Sequence, residues 1–152
     1  MRRQIETALL EWKNRARKPL VLFGARQTGK TYILNDFGRR HFNNTVYINL
    51  ETNLQTAGYF SGDIDPKRII RFLEAGAKQP VIPGETLIIL DEIQSCERAL
   101  TALKYFCELA PEYHIAAAGS LLGVAVNREQ YSFPVGKVES FNLFPLDFEE
   151  FL

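Results

Sequence analysis

Eight consecutive residues, Gly24-Ala25-Arg26-Gln27-Thr28-Gly29-Lys30-Thr31, fit the pattern G-x-x-x-x-G-K-[ST] throughout. Each position has a chemical reason. Gly24 and Gly29 carry no Cβ, so the backbone can turn tightly and aim its N–H groups inward. Those donors, with the first turn of a following helix, make a cradle for phosphate oxygens. Lys30 can reach β- and γ-phosphates as a mobile point charge. The Thr31 hydroxyl can enter the shell of a Mg²⁺ ion. Ala25, Arg26, Gln27 and Thr28 complete the loop, and the pattern makes no demand on the Arg26 guanidinium, which reads as a solvent-facing or packing group.

About 60 positions downstream, Leu87-Ile88-Ile89-Leu90-Asp91-Glu92 is an apolar run ending in two carboxylates. A strand buried on both faces brings its last residues to the carboxyl edge of its sheet, where ligands bind in open α/β folds. Asp91 is then placed to hold the Mg²⁺ shell through water. Glu92 is placed to polarise an attacking water as general base. Side chains alternate along a strand, so the two acids can take separate roles. Alone, such a pair is an ordinary solvated turn; the phosphate loop upstream is what gives it meaning.

The elements that must position these residues alternate between helical and strand-like patterns. Ile5, Ala8, Leu9, Trp12 and Ala16 share one face of a helix from Arg2 to about Ala16, and Pro19 stops it. Leu20–Phe23 is a short buried strand leading into the loop, and a helix runs from about Lys30 to Phe37. Thr45–Leu50 reads as a second strand. Asp65 as cap and Pro66 at the first helical position open another helix, with Ile69, Ile70, Leu73 and Ala77 inward. Thr86–Leu90 is the clearest buried strand. Ala99, Leu100, Leu103, Phe106 and Cys107 form a further helical stripe, Tyr113–Ala118 a strand closed by Gly119-Ser120, and Val138–Leu143 a fifth strand. This alternation predicts one α/β domain over residues 1–152 with a mostly parallel sheet. Asp147 with Glu150 three residues later has the form of a helix start, so the chain reads as the N-terminal part of a longer protein.

Composition agrees with a soluble, cytoplasmic domain. The 152 residues are 46% hydrophobic and 24% charged, with 18 basic residues against 18 acidic. That balance excludes a whole-chain basic footprint for nucleic acid and leaves only a local patch, such as the basic first helix, as a nucleic-acid or domain contact. No apolar run approaches the roughly 20 residues of a membrane span, and no apolar signal core follows Met1-Arg2-Arg3-Gln4. Cys96 and Cys107 suggest no disulfide framework. His41 and His114 have no partners at metal-ligand spacing and read as structural.

Three pieces join the phosphate loop: Leu90-Asp91-Glu92-Ile93-Gln94, which extends the acidic pair, Ala118-Gly119-Ser120 and Phe144-Pro145-Leu146-Asp147-Phe148-Glu149-Glu150-Phe151-Leu152. In this order, with the phosphate loop, they resemble the AAA+-like predicted ATPases of bacteria and archaea over almost the whole chain. The resemblance implies a P-loop NTPase three-layer sandwich with strand order 5-1-4-3-2, Mg²⁺ and ATP as ligands, and a C-terminal domain beyond this chain. In phosphate-loop proteins carrying a catalytic glutamate, an extra strand lies between the loop strand and the acidic strand, its tip holding a polar residue near the γ-phosphate. Tyr113–Ala118 and Ser120 would fill those places; Ser120 as cap of a following helix is the other reading. The family often has Gly-Arg before its last motif, whereas this chain has Gly136-Lys137. Lysine cannot make arginine's bidentate contact, so no arginine finger carries over there.

The function expected is an ATPase core that hydrolyses Mg-ATP, with Glu92, Lys30 and Ser120 as its catalytic residues, to drive a conformational change in a partner domain or complex. The alternative is a nucleotide-dependent switch that hydrolyses little and recruits a protein or nucleic acid. A small-molecule kinase is a third reading, weaker because the glutamate beside Asp91 suits water activation. A homo-oligomer is a possible setting, with Arg128 either a finger offered to a neighbour or a solvated loop residue, and Gln94 either a nucleotide or neighbour contact or a surface residue. No N-K-x-D guanine motif is present, which favours adenine.

Overall fold

Odd and even positions of the central strands feed two different cores. In Thr86–Asp91 all six residues are buried. Ile88 and Leu90 join one apolar cluster, Leu87 and Ile89 the other. A strand that must satisfy apolar neighbours on both faces reads as a continuous apolar run, as this one does.

The computed structural model describes residues 2–15, 18–24, 29–120 and 136–143. In chain order they form α1 (Arg2–Arg15), β1 (Leu20–Gly24), α2 (Lys30–His41), β2 (Asn44–Asn49), α3 (Leu54–Ala57), α4 (Pro66–Ala77), β3 (Thr86–Asp91), α5 (Glu97–Leu109), β4 (His114–Gly119) and β5 (Glu139–Leu143). Short 3₁₀ turns lie at Gly58–Phe60 and Ile93–Ser95.

The five strands pair in the order β2-β3-β4-β1-β5, and every pairing is parallel. This is the expected order 5-1-4-3-2, with β4 between β1 and β3. One face of the sheet carries Leu20, Leu22, Leu87, Ile89, Ala116 and Ala118, which cluster with Ile5, Leu9 and Trp12 of α1 and Leu34 and Phe37 of α2. The other face carries Val21, Phe23, Val46, Ile48, Ile115 and Ala117, with Ile69, Ile70 and Leu73 of α4 and Leu103 and Phe106 of α5. The result is a three-layer α/β fold.

Local chemistry sets the element ends. The Asp65 side chain accepts from the Lys67 amide, 3.2 Å away, and Pro66 opens α4. Trp12 is fully buried, and its indole N–H finds the Lys18 carbonyl at 2.8 Å. The α2 helix runs past the expected end at Phe37. It continues through Gly38 to His41, and at Gly38 the helix lies so close to the sheet that a Cβ there would meet Thr45 Cγ2 at 2.1 Å. Strand β2 starts at Asn44, one residue early, and β4 runs one residue further, to Gly119. The helix start expected at Asp147 and Glu150 lies outside the described residues. Among the described residues no helix is long and apolar enough to cross a membrane, no group of acidic, His and Cys side chains is arranged to hold a metal without further ligands, and Cys96 and Cys107 are not joined in a disulfide.

Candidate functional site

Parallel pairing puts the carboxyl ends of all five strands on one edge. Gly24 ends β1, Asp91 ends β3 and Gly119 ends β4. Phe23 is in register with Gly119, and Leu90 with Ala117. The phosphate loop, the acidic pair and Ser120 therefore converge, although they are far apart in sequence.

Gly29 precedes α2 with φ 86° and ψ 16°, a left-handed conformation that L side chains rarely adopt. It offers no side chain to cap the helix, and the N–H groups of a first helical turn are the kind of donors a phosphate can use. Lys30, only 8% exposed, extends its ammonium back to the Gly24 carbonyl at 2.9 Å. The charge is thus held over the end of β1. Ala25, Arg26, Gln27 and Thr28 lie outside the described residues.

Thr31 and Asp91 meet. The Thr31 hydroxyl donates to Asp91 Oδ2 at 2.6 Å. Asp91 is 3% exposed, and its Oδ1 accepts the Glu92 amide at 2.9 Å. A third donor is the Tyr47 hydroxyl of β2, which also reaches Oδ2. Burial, then the hydrogen bond and charge of Asp91, push the Tyr47 hydroxyl up to about 12. Among the described residues Asp91 has no cationic partner. A buried carboxylate supported by two hydroxyls and an amide, one of those hydroxyls on Thr31 of the phosphate loop, fits a hard cation that prefers oxygen ligands.

Glu92 parts from Asp91 in a way alternation does not describe. Its backbone sits at φ 54° and ψ 50°, left-handed, just past the end of β3. Strand parity therefore does not separate the two acids; the backbone turn does. A non-glycine residue there carries a strain of about 1–2 kcal/mol. Gln94, in the 3₁₀ turn, donates from Nε2 to Glu92 Oε2 at 2.6 Å. Its Oε1 accepts the Ser120 amide at 3.2 Å. Ser120 stands at the tip of the strand between β1 and β3, where it was expected, and whatever it would cap lies outside the described residues, as does Arg128.

Tyr47 carried no signal in the sequence, where it sits within an ordinary strand pattern. Lys137 is turned to Glu108 of α5, 3.3 Å away. His114 is structural: its Nε2 meets the Lys13 carbonyl at 3.0 Å and its ring packs edge-on against Trp12 and Phe42.

A family model described as an AAA domain matches residues 16–152. No curated protein matches the sequence.

Proposed function

Because this chain belongs to the AAA domain family, a family of nucleotide-binding domains, we propose that it binds Mg-ATP and hydrolyses it to ADP and phosphate. The observation that carries this reading is the contact between Thr31 and Asp91, which joins the phosphate loop to the acidic strand with Glu92 one residue beyond. Residues Gly24 to Thr31 hold the phosphates. Lys30 exchanges its Gly24 carbonyl for β- and γ-phosphate oxygens. Thr31, and Asp91 through water, would hold Mg²⁺, which when bound would neutralise charge on those oxygens. Glu92 takes the proton of a water as that water's oxygen attacks the γ-phosphorus, and ADP departs. Ser120 sits at the neighbouring strand tip to meet the γ-phosphate. Fixed donors around a developing charge do most of such work. The released energy would move a partner domain or complex.

The experiment is Mg-ATP turnover per chain across a range of protein concentrations, with Lys30→Ala as blank. Turnover should vanish in Lys30→Ala. Glu92→Gln should keep ATP binding and lose about 10²-fold or more in turnover. Unchanged turnover in Glu92→Gln removes Glu92 from the mechanism. Specific activity that climbs with concentration means that the site is completed between copies of the chain.

One observation favours a second reading, a binding switch with little hydrolysis of its own. Lys137 is engaged with Glu108 and stands where the family that the sequence resembles often has an arginine. Partner affinity that changes with ATP while turnover stays near that of Lys30→Ala would select it.

A further inference from the structure

We propose that Gln94 is a positioning residue: it sets the aim of the Glu92 carboxylate and ties that aim to the end of β4. The proposal rests on the hydrolytic role given to Glu92 above.

The bridge has a polarity that a side-chain amide satisfies, with one donor end and one acceptor end. A carboxylate accepts and a backbone N–H donates. Gln94 Nε2 donates to Glu92 Oε2 at 2.6 Å, and Gln94 Oε1 accepts from the Ser120 amide at 3.2 Å. A glutamate at this position would face a second carboxylate. A leucine would leave both ends unbonded.

The turn beneath Gln94 is anchored. Ile93 is fully buried, the Ser95 amide reaches the Glu92 carbonyl at 2.9 Å, and the Cys96 amide reaches the Ile93 carbonyl at 3.1 Å. Gln94 thus spans two structural elements from a fixed base.

The close approach depends on Gly119. A Cβ there would lie 2.9 Å from Gln94 Oε1 and 2.7 Å from Ile93 Cγ2. Gly119 does not have a positive φ, so space, and not backbone freedom, is what its missing side chain supplies. Strand β4 lies between β1 and β3. A shift of the chain where it leaves the sheet at Ser120 therefore moves the acceptor end of the bridge, and with it the donor end on Glu92.

The test uses Gln94→Leu, Glu92→Ala and the double variant. Gln94→Leu should lower kcat about tenfold to a hundredfold, the loss expected for a hydrogen bond to a charged group. KM for Mg-ATP and affinity for Mg-ADP should stay within about twofold, as for a group that acts only on the reacting step. Independently of turnover, hydrogen exchange at the Ser120 amide should quicken in Gln94→Leu. It should also quicken in Glu92→Ala, which frees the far end of the bridge, and the double variant should add nothing to Gln94→Leu. Wild-type exchange at Ser120 in Glu92→Ala overturns the tether. So does an unchanged kcat in Gln94→Leu, or a loss of kcat matched by a loss of nucleotide affinity. If the wild-type chain itself turns over no ATP, the hydrolytic reading fails, and exchange at Ser120 alone decides the tether.

Discussion

The hydroxyl of Thr31 lies 2.6 Å from Oδ2 of Asp91, and sixty positions of sequence separate the two residues. The contact closes the phosphate loop onto the acidic strand. Thr31→Val keeps the shape and removes the oxygen. Nucleotide should still bind in the presence of a chelator, and the gain in affinity on adding Mg²⁺ should fall about tenfold or more, in line with the loss of one charge-assisted contact. Calorimetric titration of ADP with and without Mg²⁺ is the measurement.

Glu92 holds a left-handed backbone at φ 54°. Glycine adopts that conformation without strain, whereas alanine, like glutamate, adopts it only at a cost. Glu92→Gly should therefore be more stable than Glu92→Ala by about 1 kcal/mol, read from urea midpoints, while both variants lose turnover. Equal stabilities would mean that the strain is absent in solution.

Gly119→Ala places a Cβ against Ile93 and the Gln94 amide. It should reduce turnover at unchanged nucleotide affinity, as Gln94→Leu does, because the amide must give way. Turnover assays beside ADP titrations decide it.

Gly38→Ala would gain helix propensity by about 1 kcal/mol. Its Cβ would nevertheless collide with Thr45 Cγ2 at 2.1 Å and crowd Leu87 Cδ2 at 3.2 Å. Overpacking of this kind costs about 1–3 kcal/mol, so thermal denaturation should show a net loss, and adding Thr45→Ala should recover part of it.

His114 is half-buried, and burial lowers its pKa below 6.5, with the Lys13 charge acting the same way and the Lys13 carbonyl opposing both. The native state then binds fewer protons than the unfolded chain. Stability is full above about pH 6.5 and declines as pH falls below it, until the native-state pKa is reached. Urea midpoints at pH 7.5 and 5.5 should differ more in the wild type than in His114→Gln.

The phosphate loop and the acidic strand were legible in the sequence because each is local. Glycine spacing, a lysine and a hydroxyl specify a loop whatever surrounds it. A strand apolar at every position announces that both its faces are covered, and the alternation of elements announces a parallel sheet. Helix α2 runs past Phe37 to His41, because Gly38, a helix-weakening residue by type, serves a close approach to Thr45 that no local pattern encodes. Tyr47 was hidden for a related reason, and Gln94 was legible as a nucleotide, neighbour or surface contact but not as the partner of Glu92. A tyrosine in a strand and a glutamine after an acidic pair are ordinary by type, and become part of the site only when β2 and β4 flank β3 at one edge. The left-handed turn at Glu92 had no glycine or asparagine to signal it. Residue type and spacing by themselves determined which groups could do chemistry and which element carried each. The tertiary structure decided which of those groups touch and where Glu92 points, because parallel pairing brings distant strand ends together at distances that separation along the chain does not contain.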